Sequence, residues 1–265
     1  MIDEPLLEMR NVTQRFGGLC ALSGASFAVR AGHAHGIIGP NGAGKTTAFN
    51  VITGIYAPTQ GDIVFRGQSI AGQRPSHIAR NGIGRTFQNI RLFRNLSVLD
   101  NVRIARDARS AYLWPSALLQ LPSARRAEKE NIRVCAELLK QFGLGDVMHE
   151  QAGGLPYGSQ RRLEIVRAMA TQPKLLLLDE PAAGMNPSEK EDLMHLIEFI
   201  RKRFGMAILL VEHDMKVVMG ICERIAVLEY GVKIAEGTPK EIQCHPKVIE
   251  AYLGASATPI ETAHA

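Results

Sequence analysis

Residues 39–46 read G-P-N-G-A-G-K-T, and they hold the residue types that phosphate chemistry requires, in a workable order. The pattern is G-x-x-x-x-G-K-[ST]. Gly42 and Gly44 lack a Cβ, so the backbone can curl and aim several N–H groups at one anion. Lys45 adds a mobile positive charge for the β- and γ-phosphates of a nucleotide, and Thr46 a hydroxyl suited to Mg²⁺. The flanks give the motif its context. Residues 33–38 (H-A-H-G-I-I) predict a short buried strand. The run from Thr46 through Ile52 predicts a helix whose positive end faces the loop.

A second set of chemical groups lies far along the chain. Residues 174–180 read K-L-L-L-L-D-E. Four leucines predict a strand buried on both faces, with Asp179 and Glu180 at its C-terminal end, where open α/β sheets bind ligands. Asp179 is suited to hold Mg²⁺, directly or through water. Glu180 is suited to orient and deprotonate an attacking water. Capping of the next helix is the alternative role for both acids, but Pro181 and Gly184 intervene before the helix expected from Ser188. Another apolar strand, 207–211, runs into Glu212, His213 and Asp214. His213 could hydrogen-bond a γ-phosphate, although a lone strand-end histidine is more often structural.

Three further segments carry weaker signals. Phe16 sits in the turn R-F-G-G, where an aromatic either stacks on a nucleobase or covers the end of a sheet. Residues 82–96 (G-I-G-R-T-F-Q-N-I-R-L-F-R-N-L) begin strand-like and end that strand at Gln88. Beyond it Phe93 and Leu96 alternate with Arg91 and Arg94, which suits a protein partner or a membrane-side surface as well as an ordinary loop. Three arginines without a further basic run make a poor nucleic-acid patch. Residues 155–160 (L-P-Y-G-S-Q) open a helix, R-R-L-E-I-V-R-A-M-A, and a helix start offers N–H groups to an anion. Many helices begin this way for capping alone.

The elements that position these groups follow from the rest of the pattern. Strands are expected at 6–12, 25–30, 62–65, 224–228 and 232–235, with short helices near 239–243 and 246–253. From 97 to about 143 the pattern is helical: Ile132, Cys135, Ala136, Leu139 and Phe142 recur on one face, opposite a run of charges. This predicts an all-helical insert in an α/β domain, with Trp114 and the proline-interrupted stretch 111–122 in the insert's core or on a partner surface. An apolar share of 46% over 265 residues supports a substantial core, and the net charge of +5 demands no polyanionic partner. No apolar run approaches the roughly 20 residues of a membrane span. The N-terminus lacks the apolar core of a signal peptide. The four cysteines, without C-x-x-C spacing, read as reduced thiols.

Taken in order, these parts resemble the ATPase domain of ABC transporters, over about residues 6–253. Residues 39–47 (Gly39, Pro40, Asn41, Gly42, Ala43, Gly44, Lys45, Thr46 and Thr47) match the Walker A loop, and 175–179 the Walker B strand. The resemblance implies that Phe16 stacks on adenine and that Gln88 is the Q-loop residue that touches Mg²⁺. It implies that Glu180 is the catalytic base and His213 the switch histidine. Residues 155–160 match the signature motif, usually L-S-G-G-Q, with departures: Pro156 replaces the serine and Tyr157 the first glycine, leaving Gly158 and Ser159 as donors. Proline offers neither a hydroxyl nor an N–H. Asn186 stands where the D-loop usually has aspartate. Within the family, G-I-G-R-T-F-Q-N-I-R-L-F, D-E-P-A-A-G-M-N-P, E-H-D-M-K-V-V-M-G and the closing A-Y-L-G resemble an ATPase subunit of branched-chain amino-acid importers. Related urea and amide importers share much of this pattern.

The implied fold is α/β: a P-loop NTPase core with a mixed sheet, an N-terminal antiparallel β subdomain and an all-helical insert. The implied single domain covers 1–254, with the core at about 1–90 and 160–238, the helical subdomain at about 91–159, C-terminal helices at about 239–254 and a disordered tail at 255–265. The implied ligands are ATP and Mg²⁺, the latter held by Thr46, Gln88 and Asp179. The implied partners are two polytopic membrane permease subunits, a second ATPase subunit (identical or homologous) in a head-to-tail dimer and, indirectly, a substrate-binding protein, with no nucleic acid. That assembly would hold the chain peripherally at the cytoplasmic face of the inner or plasma membrane. Competing classes are less well served. A soluble ABC ATPase acting on ribosomes or DNA usually has two ATPase units or a long coiled-coil insertion; an unrelated P-loop kinase or GTPase would lack the signature segment and the strand-end histidine, and a GTPase would show N-K-x-D. A non-hydrolysing regulatory subunit remains the alternative that Pro156 raises.

Overall fold

A computed structural model describes residues 4–107 and 122–253. β1 (Leu7–Phe16) and β2 (Leu19–Val29) form a hairpin, and β3 (Ala34–Ile38) leads through the glycine loop into α1 (Lys45–Ile52). β4 (Gln60–Phe65), β5 (Gln68–Ser69), α2 (Pro75–Asn81) and β6 (Ile83–Arg85) follow. Next come α3 (Val98–Asp107), α4 (Pro122–Gln141) and α5 (Tyr157–Ala170). The chain then alternates: β7 (Leu175–Asp179), α6 (Pro187–Phe204), β8 (Ala207–Val211), α7 (Met215–Ile221) and β9 (Arg224–Glu229). β10 (Val232–Gly237), α8 (Pro239–Gln243) and α9 (Pro246–Leu253) complete the described chain.

The strands form two sheets. A four-stranded antiparallel sheet has the order β2-β1-β4-β5, and a six-stranded sheet the order β10-β9-β3-β8-β7-β6. In the latter β9, β3, β8, β7 and β6 are parallel, and only β10 runs antiparallel, on the edge. Parallel strands are covered on both faces, and the four leucines of β7 suit that burial. Leu176 and Leu178 pack into the core shared with α3–α7, while Leu175 and Leu177 pack into the core that joins α1 to the antiparallel sheet. All four are 0% exposed, and each burial is worth roughly 1.5–3 kcal/mol. The carboxylates that follow are thereby fixed to the rigid end of the sheet.

β3 carries one polar exception. His35 is buried and stacks on Phe27, with Nε2 unpartnered. Burial pushes its pKa down to about 4. In the helical part, Cys135, Leu139 and Phe142 are buried on the face the periodicity marked, while Ile132 and Ala136 pack at its margin.

The structure corrects several sequence expectations. Phe16 is the last residue of β1, and the turn is made by Gly17 and Gly18. The strand expected to reach Gln88 stops at Arg85, so Gln88 lies in a bend three residues on. α1 begins at Lys45 and α6 at Pro187, each one residue earlier than read. α5 starts at Tyr157 and packs against α3, α4 and β6. The Trp114 stretch (apart from Pro122) and the 255–265 tail lie outside the described residues.

Candidate nucleotide site

The glycine loop is held from behind by the antiparallel sheet. Gly44 caps α1 with φ +99°, and a Cβ there would stand 2.5 Å from the Ala21 carbonyl oxygen of β2. At Gly39 a Cβ would stand 2.0 Å from the Leu228 carbonyl oxygen of β9. Both positions therefore exclude a side chain. The Gly231 N–H donates to the Ala43 carbonyl at 3.1 Å and ties the β9–β10 turn to the loop. No acidic residue occupies the first turn of α1, so its positive end is open to an anion.

Lys45 is 8% exposed and folds back over the loop, donating from Nζ to the carbonyls of Gly39 (2.6 Å) and Pro40 (2.9 Å). Burial lowers its pKa, and the Glu180 charge opposes that shift. Thr46 is exposed and Thr47 half-buried beside it. Phe16, at the tip of the β1–β2 hairpin, is 40% exposed and meets Tyr56 edge-on with 5.0 Å between ring centroids.

The acids close the other side. Glu180 takes φ +45°, a strained conformation for a residue with a Cβ, and its N–H donates to the Val211 carbonyl at 2.8 Å. Its carboxylate accepts from Gln88 Nε2 at 2.8 Å, with His213 Nδ1 3.9 Å from the same oxygen. The sheet end thus brings Lys45, Asp179, Glu180, Gln88 and His213 into one region. Gly158 and Ser159 stand apart, at the start of α5. There Tyr157 Oη donates to the Ala183 carbonyl at 2.9 Å, and Gly158 borders Glu189 of α6. Asn186 caps α6 in a capping box with Glu189, a function that its amide oxygen serves as well as a carboxylate would.

Three buried or largely buried polar side chains, none of them marked in the sequence as a site residue, brace these groups. Arg85 Nη2 donates to Asp179 Oδ2 at 2.9 Å, and its Nη1 reaches Asn50 Oδ1 (2.8 Å) and Thr53 Oγ1 (3.0 Å) of the β3–α1 unit. Both side chains of this ion pair are largely buried. Glu212, 0% exposed, accepts from the N–H groups of Ala182 (2.7 Å), His213 (3.0 Å) and Asp214 (3.3 Å), and so joins the loops after β7 and β8. Asn101, also 0% exposed, exchanges hydrogen bonds with both the N–H (2.9 Å) and C=O (3.0 Å) of Phe93. No local pattern marks any of them, because each has at least one partner on another segment.

The donor set fits a hard cation. The Thr46 hydroxyl, the Gln88 amide oxygen and the Asp179 carboxylate are oxygen ligands of the kind Mg²⁺ takes. Asp179 keeps Oδ1 free of the Arg85 bond. Among the described residues no group of three His, Cys, Asp or Glu side chains is placed to hold a metal.

A glycine loop ahead of α1, an acid pair at the end of a buried parallel strand and a glutamine reaching the second acid define a P-loop ATPase. A family model described as ABC transporter matches residues 22–183, and the chain belongs to that family. A second model, described as branched-chain amino acid ATP-binding cassette transporter, matches residues 232–258. The chain is 47% identical over 253 residues to the high-affinity branched-chain amino acid transport ATP-binding protein LivG of Salmonella typhimurium, covering 96% of this chain and 99% of the relative. It is 45% identical over the same shares to BraF of Pseudomonas aeruginosa, which carries the same description. Among solved structures, an ABC transporter ATP-binding cassette in its ADP conformation superposes with a TM-score of 0.83 at 31% identity, covering 95% of this chain and 99% of that one.

Proposed function

We propose that this chain is the ATP-hydrolysing subunit of an importer for branched-chain amino acids, acting at the cytoplasmic face of the membrane through membrane-embedded partners. The observation that carries the mechanism is the Gln88–Glu180 hydrogen bond at the sheet end that also bears Lys45 and Asp179. The substrate class rests on near-full-length identity to LivG and BraF and on the match at residues 232–258.

In this reading Phe16 stacks on the adenine and residues 39–47 wrap the phosphates. Lys45 exchanges the Gly39 and Pro40 carbonyls for β- and γ-phosphate oxygens. Thr46, Gln88 and Asp179 would hold Mg²⁺, which would supply stabilisation of the negative charge on the phosphates. Glu180 aligns a water in line with the γ-phosphate and takes its proton; the terminal P–O bond breaks to give ADP and inorganic phosphate. His213 donates to the γ-phosphate. Gly158 and Ser159 face the nucleotide of an apposed ATPase subunit in a head-to-tail dimer, and that subunit's signature segment covers the nucleotide held here.

The dock for a membrane subunit is a groove of about 540 Å³ between the core and the helical part. Arg85, Phe87, Arg91, Leu92, Phe93, Glu164 and Arg167 are among its lining. Arg91 lies over the Phe87 ring (4.2 Å) and Arg167 over Phe93 (5.1 Å), so the groove presents apolar and cationic surface together. Leu96 is exposed outside it. Replacement of Phe93 and Leu96 by Ala should weaken assembly; unchanged assembly and transport would remove 91–96 from the dock.

The function as a whole is tested by tagging the chain, solubilising membranes gently and identifying what co-purifies. Two polytopic proteins, a second ATPase and hydrolysis stimulated by a binding protein loaded with leucine, isoleucine or valine are expected. Stimulation by urea or amides instead would move the substrate, and recovery on ribosomes would overturn transport while leaving the ATPase.

A further inference from the structure

One turn behind the exposed start of α5 lies a fully buried arginine that the hydrolysis scheme does not use. Arg161 is 0% exposed. Its Nη1 donates to the Phe87 carbonyl (2.8 Å) and to Glu164 Oε2 (2.8 Å). Its Nη2 donates to the carbonyls of Gln88 (2.9 Å) and Glu180 (3.4 Å). Glu164, three residues on along the same helix, neutralises the guanidinium and accepts with Oε1 from the N–H groups of Phe87 (3.3 Å) and Arg91 (3.5 Å).

A buried ion pair is a poor source of stability, since desolvation of the two charges offsets most of their attraction. What distinguishes this one is the target of its remaining donors. The two residues whose side chains meet at 2.8 Å, Gln88 and Glu180, are the two whose backbone carbonyls share one nitrogen of Arg161. Gln88 lies in a bend outside any strand, and Glu180 sits at φ +45°. The Glu180 N–H is held by the Val211 carbonyl at the end of the sheet, while the Gln88 backbone lies outside any strand, so the spacing of the two side chains depends on what ties Gln88 to Glu180. A planar guanidinium, with its donors in a fixed fork, sets that spacing.

We infer that Arg161 is a positioning residue for hydrolysis, holding Gln88 and Glu180 in register with each other and with α5. The groups ride on one clamp: a displacement of the α5 start moves Gln88 and Glu180 together. This second half rests on the proposed head-to-tail reading, in which the start of α5 meets the other subunit's nucleotide.

The test is steady-state ATP hydrolysis by the full chain within its purified transporter, with thermal melting measured on the same samples. Arg161→Lys keeps the charge, but a single ammonium cannot span three carbonyls and a carboxylate at once. The expected result is a kcat about tenfold to a hundredfold below wild type, with KM for ATP changed less than about threefold and melting close to wild type. The charge-neutral double variant Arg161→Met/Glu164→Gln guards against misfolding, because it leaves no unpaired buried charge. It should show the same kcat-only loss. Wild-type kcat in either folded variant, or a kcat that falls only in proportion to the folded fraction, would overturn the inference. Glu180→Gln run alongside separates the failures. If it loses turnover while Arg161→Lys does not, only the clamp is wrong; if it keeps wild-type turnover, the role of Glu180 fails and the clamp with it.

Discussion

Two helices of this molecule begin with glycine-containing segments open to an anion, and they are built in opposite ways. α1 starts from Gly44, pressed against the Ala21 carbonyl, with Lys45 buried and ready beside its amides. α5 starts from Pro156 with no side-chain cap, and Pro156 and Tyr157 are exposed. Its first two cations point elsewhere: Arg161 inward onto Glu164, and Arg162 toward Gly143. The α1 start has amides, a dipole and a charge together, which in our reading make a whole phosphate site. The α5 start offers amides and a dipole with no cation beside them, so in our reading it completes a site whose lysine belongs to another subunit.

That contrast yields graded expectations. Lys45→Ala strikes the complete site and should reduce kcat/KM for ATP by about a hundredfold to a thousandfold, as loss of a preorganised charge contact does; a fall below tenfold would deny Lys45 its place on the phosphates. Ser159→Asp strikes the half site. A carboxylate in the first turn favours α5 itself through the helix dipole, so melting should hold or rise slightly. Facing a γ-phosphate, the same charge costs several kcal/mol, so turnover in the assembled transporter should fall by more than about tenfold. ATP binding by the isolated chain should stay as in wild type. Weakened binding in the isolated chain would erase the distinction between the two helix starts.

Phe16→Ala sharpens the account of the first site. Loss of a base–aromatic stack, worth about 1–3 kcal/mol, should weaken ATP affinity roughly tenfold in equilibrium binding, with Phe16→Tyr near wild type. The smallest effect is expected beside the second. Asn186→Ala removes the capping box of α6, at about 1 kcal/mol, or roughly 2–4 °C in melting temperature. Turnover per folded molecule should scarcely change.

The two helix starts also differ in how far they could be read from sequence. Everything that makes the α1 start is contiguous, so eight residues and their flanks disclosed it. β7 was equally legible, because a strand buried on both faces must be apolar at every position. The Arg85–Asp179 pair spans 94 residues and the Gln88–Arg161 bond 73, and the pairing of β6 with β7 and the packing of α5 that create them leave no local pattern. The sequence predicts a strand as far as Gln88 because Thr86 and Phe87 continue its β-prone run. Nothing in the local sequence marks Arg85 or Arg161 as buried, since charge alone does not reveal burial. Glu212 looked like the end of a strand, and only the fold shows it to be a buried acceptor for three N–H groups.

The account stands on Glu180 as the group that activates water, held by Gln88 at the end of β7. The most direct test is Glu180→Gln in the full chain, with ATP hydrolysis and equilibrium ATP binding measured on one preparation. Turnover should fall by about a hundredfold to ten-thousandfold, the range a general base supplies, while ATP binding persists. Turnover at the wild-type level in a variant that binds ATP normally would contradict the account.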